Sequence, residues 1–511
     1  MANLRSLPAR LFEVLNDRLN PIVIKELRQA IQGRFVAALL LCFLLIQVLV
    51  LSMFLLFSGI ETVDLLGGGN QGREVATIII GFLFFMTIVV LPAVVAMRFH
   101  MERNNDGFAL LYITTLKPNA IISGKLLANQ ALALLLFSAC APFLSFTYFL
   151  RGIDLLSILI VLAFGFIVMT LMLLSAIFLA SLPVTRFLKS LIGVGAGMGL
   201  IMVFSTATAF SAEMLQRGFG SRLGSRGFWE DAGAFLVPSF LFGMFLFVLS
   251  SALVAPPASN RALPVRRYLS GAWLVSLALM VLIFLRSADE EIVEVWARLW
   301  IMLIGGAFLI AVSAPDQLSR RLRRELPRRR LARWVAFFFW PGSASGLAWA
   351  LGLAAATCGS VLLLSQMDIS LVDEFRRCLS MTAYFLAYAL TTFILHRRFL
   401  KRWVPSSYTG VMALVLMILG TILPPIFGLF IAPDLGTDVW EQWIFLNPFA
   451  ALNRGSLPLA LAVSMAWAGL TLLMTVPTWV HQVRVFARPA SADDNVGVLT
   501  NGGDDPPAKE A

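Results

Sequence analysis

Few segments of this chain have the residue types and spacing that chemistry requires. Ser123-Gly124-Lys125-Leu126 carries the Gly-Lys of a phosphate-binding loop. No glycine stands five residues before Gly124, however, and Leu126 occupies the place where Ser or Thr would bind Mg²⁺. No HExxH, GxSxG or CxxC pattern occurs. The four cysteines, Cys42, Cys140, Cys358 and Cys378, lie within apolar runs or near the end of one and read as small packing residues. His100, His396 and His481 stand near the ends of such runs. Asp289-Glu290-Glu291 and Asp373-Glu374 would suit a membrane-embedded lipid or glycan transferase only if they faced a cleft; their position reads as solvated loop charge. No catalytic residue, metal site or cofactor site is therefore expected in the chain.

The elements that could position any site are apolar helices. Of 511 residues, 59% are hydrophobic and 14% charged, and the mean hydropathy is +0.85. Soluble domains run nearer half apolar and a quarter charged. This excludes a water-soluble enzyme, a disordered chain and a disulfide scaffold. The apolar runs do not alternate, which excludes a transmembrane β-barrel. A spanning helix needs about 20 mostly apolar residues. Twelve stretches qualify: 35–58, 75–97, 127–150, 155–182, 191–212, 236–254, 269–285, 296–313, 346–364, 380–395, 408–431 and 457–479. The expected fold is an all-α polytopic membrane protein with about twelve transmembrane helices.

Charge orients it. If the N-terminus is cytoplasmic, three quarters of the 40 Lys and Arg residues fall on the cytoplasmic side, eight of them between Arg320 and Arg333. Such a bias predicts an N-in, C-in topology. The first 34 residues hold six basic residues and no apolar core of a cleavable signal. The net charge of +11 is then mostly positive-inside charge, with no call for nucleic acid. The Arg320 to Arg333 cluster reads first as a topology determinant and has the chemistry to meet anionic lipid head groups. Charged residues read as lying at span ends or in loops, which weighs against an ion-coupled transporter, an ion pump or an intramembrane metalloprotease.

Within the spans, Pro92, Pro142, Pro238, Pro424, Pro425 and Pro477 predict kinks. Gly193, Gly195, Gly197 and Gly199 form two interlaced GxxxG pairs and predict a close helix–helix contact. Ahead of the first span, Asn20 is a good N-cap and Pro21 suits the first helical position. Val23, Leu27, Ala30 and Ile31 share one face of that helix, and Lys25, Glu26, Arg28, Gln29 and Gln32 cover the rest. This pattern predicts a short amphipathic helix in the membrane interface. The segment after the second span, 98–126, contains Glu102-Arg103, the apolar Leu110, Leu111 and Ile113, and Lys117-Pro118. Apolar residues exposed on a charged loop mark a partner surface.

These motifs together resemble the membrane-spanning permease subunit of type-2 ABC transporters, largely exporters. The resemblance rests on the N-terminal helix with Pro21, Lys25, Glu26, Leu27 and Arg28, and on Glu102-Arg103 followed by Leu110-Leu111. It rests further on Leu116-Lys117-Pro118 ahead of Ile121-Ile122-Ser123-Gly124-Lys125, the small outer loop Arg151 to Asp154, and Leu446-Asn447-Pro448-Phe449 before the last span. It covers roughly the first 190 residues and the last 70. The resemblance implies that the N-terminal helix is an interfacial elbow, and that Glu102, Arg103, Leu110, Leu111, Ile113 and Lys117 belong to a coupling segment docking on a separate ATP-binding subunit. ATP and Mg²⁺ would then be bound by that partner. It also implies a bacterial cytoplasmic (inner) membrane and leaves open whether a second permease copy joins the complex.

The chain departs from the six-span pattern of that family. The familiar ending at Asn447 and the lack of a second Asn-Pro helix favour an insertion over a fusion of two units. On that division, 1–34 holds the elbow, 35–190 a permease core with spans 1–4, 191–335 four added spans with the Arg-rich loop, 336–488 spans 9–12, and 489–511 a disordered Pro/Gly/Asp-rich tail. The alternative function is a non-transporting membrane scaffold or assembly component built on the same permease fold.

Overall fold

The computed structural model describes residues 21–58, 71–104, 117–149, 153–182, 186–218, 223–256, 259–287, 289–314, 322, 326–327, 329–431, 446–452 and 455–487. Among the described residues there is no strand, and twelve helices are long and apolar enough to cross a membrane. The protein is an all-α, multi-pass integral membrane protein. The chain divides into two compact units, Met1–Pro256 and Pro257–Ala511, and each carries six of the twelve. This partition differs from the five-part division read from the sequence.

In the first unit, helix α1 (Pro21–Gln32) precedes the first span α2 (Arg34–Ser58). The second span runs through α3 (Gln71–Phe84), a π-helical turn (Phe85–Val90) and α4 (Leu91–Asn104). The π turn ends two residues before Pro92, whose missing N–H already breaks the α-helical ladder. Helices α5 (Pro118–Phe149), α6 (Leu155–Ser181), α7 (Arg186–Arg217) and α8 (Arg226–Val254) complete the unit. Asp154 caps α6 by accepting from Ser157 N and Ser157 Oγ. The core is aliphatic and aromatic, with Leu83, Phe84, Ile88, Ile122, Val161, Met169 and Leu173 buried. Phe84 lies over Gly165 so closely that a Cβ there would run into its ring. Close approach, not turn geometry, is what this glycine provides.

The second unit contains α9 (Ala262–Ser287), α10 (Glu290–Val312), a short α11 (Arg330–Phe339) and α12 (Ser343–Leu364). Then follow α13 (Leu371–Leu395), α14 (Thr409–Ile431) and α15 (Leu457–Ala487). Helix α13 is the central one, packing against α10, α12, α14 and α15. Tyr384 and Tyr388 are its largest buried side chains. The Tyr388 hydroxyl donates to Leu446 O at 2.7 Å, and Asn447 Oδ1 accepts from Phe449 N at 2.9 Å to start a 3₁₀ turn, Pro448–Leu452. Indole donors tie the other helices: Trp273 to Thr357 Oγ1, Trp349 to Ser270 Oγ, and both Trp296 and Trp300 to Ser276 Oγ. Each N–H, costly in an apolar interior if unpaired, finds a hydroxyl.

Two stretches that read as the shortest spans, 269–285 and 380–395, belong to longer helices beginning at Ala262 and Leu371. Hydropathy falls at Arg266, Glu374 and Arg377, but these charges are paired or hydrogen-bonded, so the helix continues through them. The helices also run through Pro142, Pro238, Pro424, Pro425 and Pro477. Cys140, Cys358 and Cys378 are buried as packing residues, whereas Cys42 lies on an exposed part of α2.

Candidate functional site

The chemistry-bearing residues of the first unit converge on Lys125. Its ammonium donates to Glu26 Oε1 and to Glu102 Oε2, each at 2.6 Å, and lies 5.1 Å from the centroid of the Phe99 ring. Three elements supply the cluster. Helix α1 packs on α5 through Ile22 and Val23, and Glu26 follows them on that face. Helix α4 presents Phe99 and Glu102, one turn apart. Helix α5 begins at Pro118, a residue preorganised for the first helical position. It carries Lys125 one turn beyond the buried Ile121 and Ile122.

Two expectations are corrected here. Lys125 belongs to a helix, not to the loop before the third span, and it is buried. Glu26 belongs to the packed face of α1 and not to its solvent face, because it meets Lys125 there. These three groups, two carboxylates and one ammonium, sum to one negative charge. The Glu102 side chain is its most open member, 36% exposed against 8% for Lys125. Both hydrogen bonds join charged groups, the strong class.

The remaining candidates are placed as follows. Pro21, Lys25 and Arg28 are exposed on α1, and Leu27 is half-buried. Arg103 lies in α4, with its side chain outside the described residues; Leu110, Leu111 and Ile113 also lie outside them. Lys117 is exposed at the start of α5. At Gly193, Gly195, Gly197 and Gly199 a Cβ would meet nothing within 4 Å among the described residues. Helix α7 is held by its C-terminal half, where Ala207, Ser211, Met214 and Leu215 are buried, so the glycine stripe faces outward. Two polar contacts at membrane depth escaped the sequence reading. Gln47 donates to Ile79 O, and Gln130 donates to Thr170 Oγ1. Gln47 Oε1 is buried without a partner among the described residues.

A second ion cluster occupies the other unit. Arg298 donates to both oxygens of Glu374, at 2.9 and 2.7 Å, and to Glu294 at 2.6 Å. Arg377 donates to Glu374 at 2.9 Å and lies 3.6 Å from Glu294. Glu374 is fully buried. Its reading as solvated loop charge is overturned, whereas Asp373 stays exposed and pairs with Arg376. The four groups cancel, joining α10 to α13. The buried His396 Nε2 lies 2.8 Å from Val404 O, a structural contact at the end of α13. No group of three or more His, Cys, Asp or Glu side chains among the described residues could hold a metal ion. No family model, curated protein or solved structure matches the chain.

Proposed function

We propose that the chain is the membrane-spanning permease subunit of an ATP-driven transporter of the type-2 ABC class, working as an exporter in a bacterial cytoplasmic membrane. A separate ATP-binding subunit would dock on the segment after the second span and supply ATP and Mg²⁺. One observation carries this reading: Glu26, Glu102 and Lys125 come from three motifs far apart in sequence and meet in one ion cluster. That cluster joins the elbow helix to both flanks of the 105–116 segment. A docking segment must transmit force to the spans, and an ionic joint between its two ends and a peripheral helix serves that purpose. The division into two six-span units supports a fused pair.

The test is capture of the ATP-binding subunit, normalised to membrane-inserted protein. Leu110→Asp and Leu111→Asp should each abolish capture and leave insertion intact, because an apolar centre supplies most of the affinity of such an interface. Unchanged normalised capture for both would sink the coupling role. Capture without ATP-dependent transport in liposomes would favour the scaffold reading instead.

A further inference from the structure

Helix α11 is absorbed neither by the spans nor by the coupling role. Its ten residues reach about 15 Å, half the thickness of a hydrocarbon core. One face is fixed to its own unit. Phe337 is buried against Phe486, with ring centroids 5.3 Å apart. The last carbonyls of the helix are also held: Arg266 Nη1 donates to Phe338 O and Trp340 O at 2.9 and 2.8 Å, and Asn260 Nδ2 donates to Phe339 O at 3.2 Å. The chain then turns at Gly342, whose φ of +146° favours glycine, and enters α12 at Ser343.

With that face fixed, the opposite one points away. Leu331, Trp334, Val335 and Phe338 stand at positions i, i+3, i+4 and i+7, so they form one stripe. All four are exposed, from 39% for Phe338 to 84% for Leu331. This is the reverse of α1, which turns Ile22 and Val23 inward and leaves Lys25 and Arg28 outside. Around α11 the chain carries eight arginines between Arg320 and Arg333 and a single acid, Glu325. An aqueous setting satisfies the arginines but not the stripe. The spanning helix α12 begins four residues after α11 ends, so the short helix must lie at the boundary of the bilayer that α12 crosses. A bilayer interface with negative headgroups satisfies both parts, with apolar side chains at the acyl boundary and guanidiniums at the phosphates.

We propose that α11 is an in-plane membrane anchor, and that the arginines flanking it hold anionic phospholipid headgroups. The occupant is the bilayer itself, not a soluble phosphate or a second protein. The test uses the full chain with an environment-sensitive fluorophore attached through Val335→Cys, in a Cys42→Ser background, in phosphatidylcholine nanodiscs with and without phosphatidylglycerol. Lipids carrying an acyl-chain quencher should quench the label, and acrylamide should not. Quenching by acrylamide alone, or by neither quencher, would overturn the anchor. The second arm replaces Arg328, Arg329 and Arg330 with Gln and measures phosphatidylglycerol retained through detergent purification of monodisperse protein. Retention should fall several-fold relative to phosphatidylcholine, and unchanged retention would refute the headgroup contacts. A label at the exposed Leu331→Cys repeats the depth measurement if the position 335 variant fails to fold.

Discussion

Lys125 in the first unit holds two carboxylates, one from a helix too short to span. Glu374 in the second holds two guanidiniums, all from spanning helices. The Lys125 cluster's three members, Lys125, Glu26 and Glu102, sum to one negative charge, and Glu102 is partly open. The Glu374 cluster is neutral, and its central group is fully buried. Buried charge is tolerated only when paired and hydrogen-bonded, so the Glu374 cluster can serve only as a fixed strut between α10 and α13. The Lys125 cluster instead keeps Glu102 partly open to its surroundings. Charge balance and exposure together separate a joint from a strut.

The strongest way to break this contrast is Glu374→Gln. It leaves Arg377 and Arg298 to share Glu294 alone, and removing one partner of a buried pair costs about 3–5 kcal/mol. Denaturation of the purified protein in detergent should show that loss, and Glu374→Leu combined with Arg377→Met should recover most of it. A cost under about 1 kcal/mol for the single change, the range of an exposed pair, would place the cluster in water and erase the contrast. Lys125→Met should do less to stability, about 1–3 kcal/mol, because Glu102 can turn to solvent. It should nonetheless depress normalised capture of the ATP-binding subunit strongly. Full stability loss with normal capture per folded molecule would make Lys125 a strut as well. The smallest effect is expected at the open glycine stripe. Gly195→Ala and Gly197→Ala should leave stability unchanged or raise it by up to about 1 kcal/mol, since nothing crowds a Cβ there and Ala favours the helix. A loss in the membrane would mean that another molecule covers this face.

The spans were legible because an apolar run of sufficient length has few other fates, and α1 was legible from Pro21 and its apolar spacing. The sites were not, for a specific reason. Hydropathy treats Lys125, Glu374 and Arg377 as breaks, and only a partner makes them compatible with a helix interior. Those partners lie 99 positions away for Lys125 and Glu26 and 76 for Arg298 and Glu374, beyond any local pattern. The GxxxG stripe meets no described residue of its own chain, because small residues permit close contact without requiring it. Helix α11 was hidden by its arginines, which read as a loop although the residues after them repeat with a helical period.

The π turn at Phe85–Val90 sets the phase of the second span. Each residue of an α-helix advances the direction of its side chain by about 100° around the axis. A π turn accommodates one residue beyond the α-helical count. Wound as a regular α-helix with the same number of residues, the span would carry everything from Leu91 to Asn104 around by about that angle, while Val75 to Leu83 stayed seated in the core. Phe99 and Glu102 would then rotate off Lys125. The second span thus works as two rods with a built-in angular offset, one keyed to the membrane core and the other to the ionic joint.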